Sequence, residues 1–110
     1  MKNGWHILRD GARLTLSRRL PVRFDIAAET TLPHMRPVPL AHMIRQDVWR
    51  CLQHLRGFAP VVVVDRRATD MLISTGGRID GARATARDRL RLQDALADPA
   101  TRARWIRCAT

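Results

Sequence analysis

Asp47, Cys51 and His54 stand four and three residues apart in the stretch AHMIRQDVWRCLQHLR, positions 41 to 56. On a helix that spacing puts an acid, a thiol and an imidazole on neighbouring turns, and His42 and His34 are near in sequence. A nucleophile or a metal site could be built from such types. The set is incomplete. The second cysteine, Cys108, is far away, there is no C-x-x-C pair and no close pair of histidines. Cys51 falls on the apolar side of its helix, so it is read as a buried, reduced core residue that binds no metal. The stretch STGGR, residues 74 to 78, lacks the lysine and the spacing of a phosphate-binding loop. Carboxylates are few, and Asp10, Asp65 and Asp88 each adjoin an arginine, which points to solvated ion pairs and not to a paired general acid and base. With no complete catalytic set, neither an enzymatic activity nor a cofactor is expected.

The same helix offers recognition chemistry. At about 100° per residue, Leu40, Ile44, Val48, Cys51 and Leu55 fall on one side and form a core stripe. The other side carries His42, Arg45, Gln46, Trp49, Arg50, Gln53 and Arg56: hydrogen-bond donors around one large aromatic, where solvent should be. Arginine and glutamine read base edges and phosphates, and an indole stacks on a base or anchors a protein contact. The C-terminal stretch TRARWIRCA repeats the theme, with Arg102, Arg104 and Arg107 around Trp105 and Ile106. There the two apolar residues dock the last helix and the arginines can clasp phosphate as planar forks. Arg18 and Arg19 lie beside Pro21, where a hairpin would present them to a nucleic-acid groove or backbone.

Charge agrees with this reading. The chain has 20 lysines and arginines, 19 of them arginine, against 10 acids, a formal +10. The corresponding pI is about 11.7, a field that attracts polyanions, nucleic acid first, then anionic membrane surfaces or acidic proteins. The excess sits at the two ends: residues 1 to 36 hold seven basic and three acidic residues, and residues 81 to 110 the same numbers. Apolar residues make up 45%, enough for a core and against global disorder. No apolar run of signal-peptide or membrane-spanning length interrupts the charges, so a reduced, cytoplasmic protein is expected.

These residues need a scaffold, and the patterning supplies one domain over residues 1–110 with a proline-rich linker at about 31–39. Alternation in RLTLSRRLPVRFDIAAET predicts two strands broken at Pro21, the first on Leu14, Leu16 and Leu20, the second on Val22, Phe24 and Ile26. TLPHMRPVPL reads as an extended link into the Trp49 helix, which Gly57 stops. The four valines of FAPVVVVDRR predict a central strand covered on both faces, and MLISTGGR a further strand closed by Gly76 and Gly77. A helix over ARATARDRLRLQDALAD follows, then a short last helix from Pro99, capped by Asp98, to about Cys108. The fold class is α+β: a small, mostly antiparallel sheet in the order β-β-α-β-β-α-α with helices packed on one face. The leading functional expectation is a nucleic-acid-binding regulatory or accessory protein, DNA slightly preferred over RNA, contacting its ligand through Arg45, Trp49, Arg50, Gln53, Arg56, Arg18, Arg19, Arg102, Arg104 and Arg107. The alternative is an adaptor, or a homodimer-forming subunit, that meets an acidic protein partner through the Trp49 face.

Overall fold

The computed structural model describes residues 4–110; Met1 to Asn3, the start of the segment read against a leader peptide, lie outside the described residues. The elements are β1 (His6–Asp10), β2 (Arg13–Ser17), β3 (Ile26–Leu32), α1 (Pro37–Leu52), β4 (Phe58–Arg66), β5 (Met71–Ile79), α2 (Ala86–Ala97) and α3 (Pro99–Ala109). The class is α+β. All strand pairs are antiparallel and the sheet order is β1-β2-β4-β5-β3. Leu14 and Leu16, Val62 and Val64, Met71 and Ile73 turn the same sheet face to Ile44 and Val48 of α1, Leu92 and Leu96 of α2 and Trp105 of α3, which together form the core.

The valine strand is central, third of five, as its composition demands. Val62 and Val64 point to the helices; Val61 and Val63, on the other face, are still only 1% and 8% exposed, in register with Ser17 and Thr15 of β2.

Several boundaries differ from the sequence reading. Three strands precede α1, not two, because His6–Asp10 pairs with β2. It escapes detection because Ile7 and Leu8 are adjacent and both exposed, so this edge strand lacks a period of two. A two-residue loop, Gly11 and Ala12, joins the pair, with Gly11 at φ +59° in its first position. The strand expected on Val22, Phe24 and Ile26 starts only at Ile26. Val22 and Phe24 lie in the loop that carries the chain past β4 and β5 to the far edge. Side chains hold that loop. The Asp25 carboxylate accepts from the Ile79 N–H and from Arg23, both at 2.8 Å, and Arg23 also donates to Asp80 at 2.8 Å.

β5 is not closed by Gly76 and Gly77 but runs through them. Gly76 has φ +149°, and a Cβ there would overlap the carbonyl oxygen of Ile26; one on Gly77 would overlap that of Ala59. Both glycines therefore permit close approach of the flanking strands, β3 and β4.

α1 begins at Pro37, a favoured first-turn position, which shortens the expected linker of 31–39 to the few residues after Leu32. It ends at Leu52, and a turn over residues 53–57, with Gly57 at φ +77°, leads into β4. The buried positions of α1 are Leu40, Ala41, Ile44, Val48 and Leu52, followed by Leu55 after the helix. Cys51, expected in the core, is only half-buried. Four residues on from Val48 is Leu52, so the stripe passes to its neighbour and Cys51 sits at the margin.

α2 starts at Ala86 because Thr85 caps it: the Thr85 hydroxyl accepts from the Asp88 N–H at 3.1 Å while the Asp88 carboxylate accepts from the Thr85 N–H at 2.8 Å. That capping box turns Asp88 inward, where it is 6% exposed and meets His54 Nε2 at 2.8 Å. Asp88 is thus not the solvated partner of an arginine that its sequence neighbours suggested. α3 begins as expected. The Asp98 carboxylate accepts from the Thr101 N–H at 2.9 Å, and Pro99 fills the first turn.

Two measurements check this fold. Amide exchange should be slowest at Val62 to Val64, since a strand paired on both sides opens only with global unfolding; fast exchange there would contradict its central place. The backbone N–H of Thr85, then His54, hold the Asp88 carboxyl down at about 2, below its ordinary value of 3.8. A depressed carboxylate stabilises the fold above its unfolded value, and that contribution goes as pH drops from about 4 towards about 2. In urea unfolding, Asp88→Asn should be less stable than the wild type at neutral pH, by about 1 kcal/mol, and the gap should close across that window. Parallel pH profiles for the two proteins would refute the assignment.

Candidate functional site

Trp49 lies off the core stripe and is 43% exposed. It is not isolated, however. Its ring stacks on that of Phe58, with centroids 6.3 Å apart and planes 13° from parallel. Phe58 opens the central strand, so the stack joins α1 to β4. One turn before Trp49, on the same flank of the helix, Arg45 lays its guanidinium carbon 4.5 Å from the centroid of the Trp5 ring.

Trp5 immediately precedes β1 and Arg18 immediately follows β2. The last pair of that ladder, His6 with Ser17, brings them to the same end of the hairpin, where the Arg18 guanidinium carbon is 5.5 Å from the same indole. Two cations thus share one aromatic residue, an arrangement favoured by the quadrupole of the ring. Trp5 is 7% exposed and belongs to the core. Between the hairpin end, the flank of α1 and the start of β4 lies a cleft of about 420 Å³, lined by Trp5, Arg18, Arg19, Arg45, Trp49, Phe58, Ala59 and Pro60.

The cleft is electropositive for a structural reason. Among the described residues, Arg18 and Arg45 form no ion pair with a carboxylate, and Arg19 reaches Asp80 only at 3.6 Å. Arg45 Nε donates to His42 Nδ1 at 3.3 Å. Burial, and then the Arg45 charge, push His42 below the usual imidazole range, which keeps it the neutral acceptor this bond needs. Burial and the nearby Arg18 likewise lower Arg45, which remains a cation at neutral pH. The cleft thus sets two cations without a carboxylate partner beside the partly exposed ring of Trp49.

The sequence-predicted residues divide. Arg18, Arg19, Arg45 and Trp49 come together in the cleft. Arg50, Gln53 and Arg56 lie exposed on the end of α1 and the turn after it; Arg50 pairs with Asp47 at 3.1 Å, and Gln53 donates to the Arg50 carbonyl at 3.5 Å. The C-terminal arginines are not gathered there. Arg102 donates to the Thr30 hydroxyl at 2.6 Å and to the Thr31 carbonyl at 2.7 Å, which fastens α3 to β3. Arg104 donates to Asp47 at 2.6 Å, and the indole N–H of the buried Trp105 donates to the same carboxylate oxygen at 2.8 Å, fastening α3 to α1. Arg107 is exposed in the last turn of α3. Trp5, Phe58 and Pro60 were not anticipated. Only the β1–β2 register could have pointed to Trp5, and β1 gives no periodic signal.

Asp47 and Cys51 of α1 and His54 in the turn after it do not form one hydrogen-bonded set. Asp47 is committed to α3, His54 to the Asp88 cap, and no hydrogen bond joins Cys51 to His54. Burial pushes the Cys51 thiol up, away from the reactive thiolate. Among the described residues no three His, Cys, Asp or Glu side chains gather as a metal site, and no helix is long and apolar enough to cross a membrane. Comparison with protein-family models, with curated proteins and with solved structures finds no significant match to this chain.

Proposed function

We propose that this protein binds nucleic acid and that the cleft formed by Arg18, Arg45 and Trp49 is its contact surface. The observation that carries the reading is the pair of guanidiniums over Trp5, held in place by an aromatic ring in place of a carboxylate. Most guanidiniums elsewhere in the fold meet a carboxylate or a carbonyl, as Arg13 meets Asp65, Arg67 meets Asp70 and Arg102 meets Thr31. At the cleft a phosphate would complete the pairing, with charge-assisted bonds to planar donors. A formal charge of +10 supplies the long-range attraction.

On this reading α1 contributes one side of a cleft and does not project as a free helix. Its Arg45–Trp49 flank faces strand residues across a concave site and forms one wall of it. Arg50, paired with Asp47, and Arg56, in the turn after the helix, do not line the cleft.

Affinity for an oligonucleotide of arbitrary sequence, followed by fluorescence anisotropy, should fall linearly with salt on logarithmic axes. Arg18→Ala should reduce the slope by about one unit, as loss of a single phosphate contact requires. Arg107→Ala, on α3, should leave it unchanged. Absence of binding at low salt would end the proposal.

A further inference from the structure

Resting on that reading, we infer that the cleft accepts one unpaired base of a single-stranded nucleic acid, stacked on Trp49, with an adjoining phosphate held between Arg18 and Arg45. The rings decide against a duplex. Phe58, itself buried, stacks on the Trp49 indole in an offset arrangement, and both rings line the cleft, with Trp49 43% exposed. A base can reach such a surface only when its own face is free, which excludes bases within a helical stack.

Size agrees. About 420 Å³ is at the small end of ligand clefts, room for one nucleotide and not for a helical segment. The walls are sequence-tolerant: Ala59 and Pro60 offer apolar surface, and Pro60 has no N–H to read a base edge. Specificity in the cleft therefore comes from stacking and charge. Arg45 spends its Nε–H on His42 at 3.3 Å and Arg18 meets no carboxylate among the described residues, so donors of both forks are left for capture of a phosphate. A run of Asp and Glu would satisfy the arginines but would bring no ring for Trp49, whereas every nucleotide carries both charge and ring, so the observations favour the nucleic acid.

The test compares four probes on the full chain at one salt concentration: a single strand of about ten nucleotides, the same strand paired to its complement, an abasic strand with the same phosphates, and polyglutamate. Single-stranded RNA and DNA should both bind, about tenfold or more tighter than the duplex or the abasic strand. Trp49→Ala should lower single-strand affinity about tenfold and leave abasic affinity unchanged, and Trp49→Phe should recover most of the loss. Equal affinity for single, double and abasic strands would overturn the base site while leaving nucleic-acid binding intact. If polyglutamate binds as well as any strand, or if nothing binds, the parent reading falls too. The wild-type comparison of single with abasic strand decides the question even if the Trp49 variants fail to fold.

Discussion

The structure depends on a strand that is apolar on both faces. β4 can take the middle of the sheet because consecutive valines leave neither face a polar group to hydrate, and pairing with β2 and β5 satisfies its backbone. Its helix-side residues give α1 a surface to lie on, and α1 in turn carries Asp47, the carboxylate that receives both Arg104 and Trp105 of α3. Burying Trp105 costs little because its one polar atom has a charged acceptor. The first residue of β4, Phe58, is also the one that backs Trp49. The core and the cleft therefore share a strand.

Arginine plays two roles that composition alone does not separate. Some guanidiniums act as fasteners. Arg23 ties the β2–β3 loop to Asp25 and Asp80, Arg102 ties α3 to β3, and Arg104 ties it to α1. Each uses the planar fork to bridge elements distant in sequence. The others remain available, and at Arg18 and Arg45 two of them are concentrated by an aromatic ring. The net charge measures the sum of the roles, while only the second contributes to a binding field.

Where burial and local capping chose the structure, the sequence was readable. Four valines announce a central strand, Asp98 and Pro99 announce a helix start, and Trp49 stands off its stripe in the letters as it does in space. What stayed hidden depends on partners far along the chain. β1 is an edge strand with both faces wet, so hydrophobic alternation never marks it. The glycines of β5 resemble a strand end, yet they serve the close approach of Ile26 and Ala59, residues 50 and 18 positions earlier than the respective glycine. Arg102 and Arg104 look like a basic patch, because nothing local reveals Thr30, Thr31 or Asp47 waiting opposite. Half of the cleft, Arg45 and Trp49, was visible on one helix. The other half arrives through sheet register.

That second half hangs on the least secured pairing in the sheet. β1 is an edge strand, bonded to β2 alone, and Trp5 stands just ahead of it, so the ring that both guanidiniums meet enters the core from the margin of the sheet. Opening this hairpin end would separate Trp5 from Arg18 and Arg45 at one stroke, leaving two repelling cations and no cleft. The geometry of the cleft and the pairing of this strand are thus linked, because the hairpin end that completes the sheet is what brings Trp5 to Arg18 and Arg45.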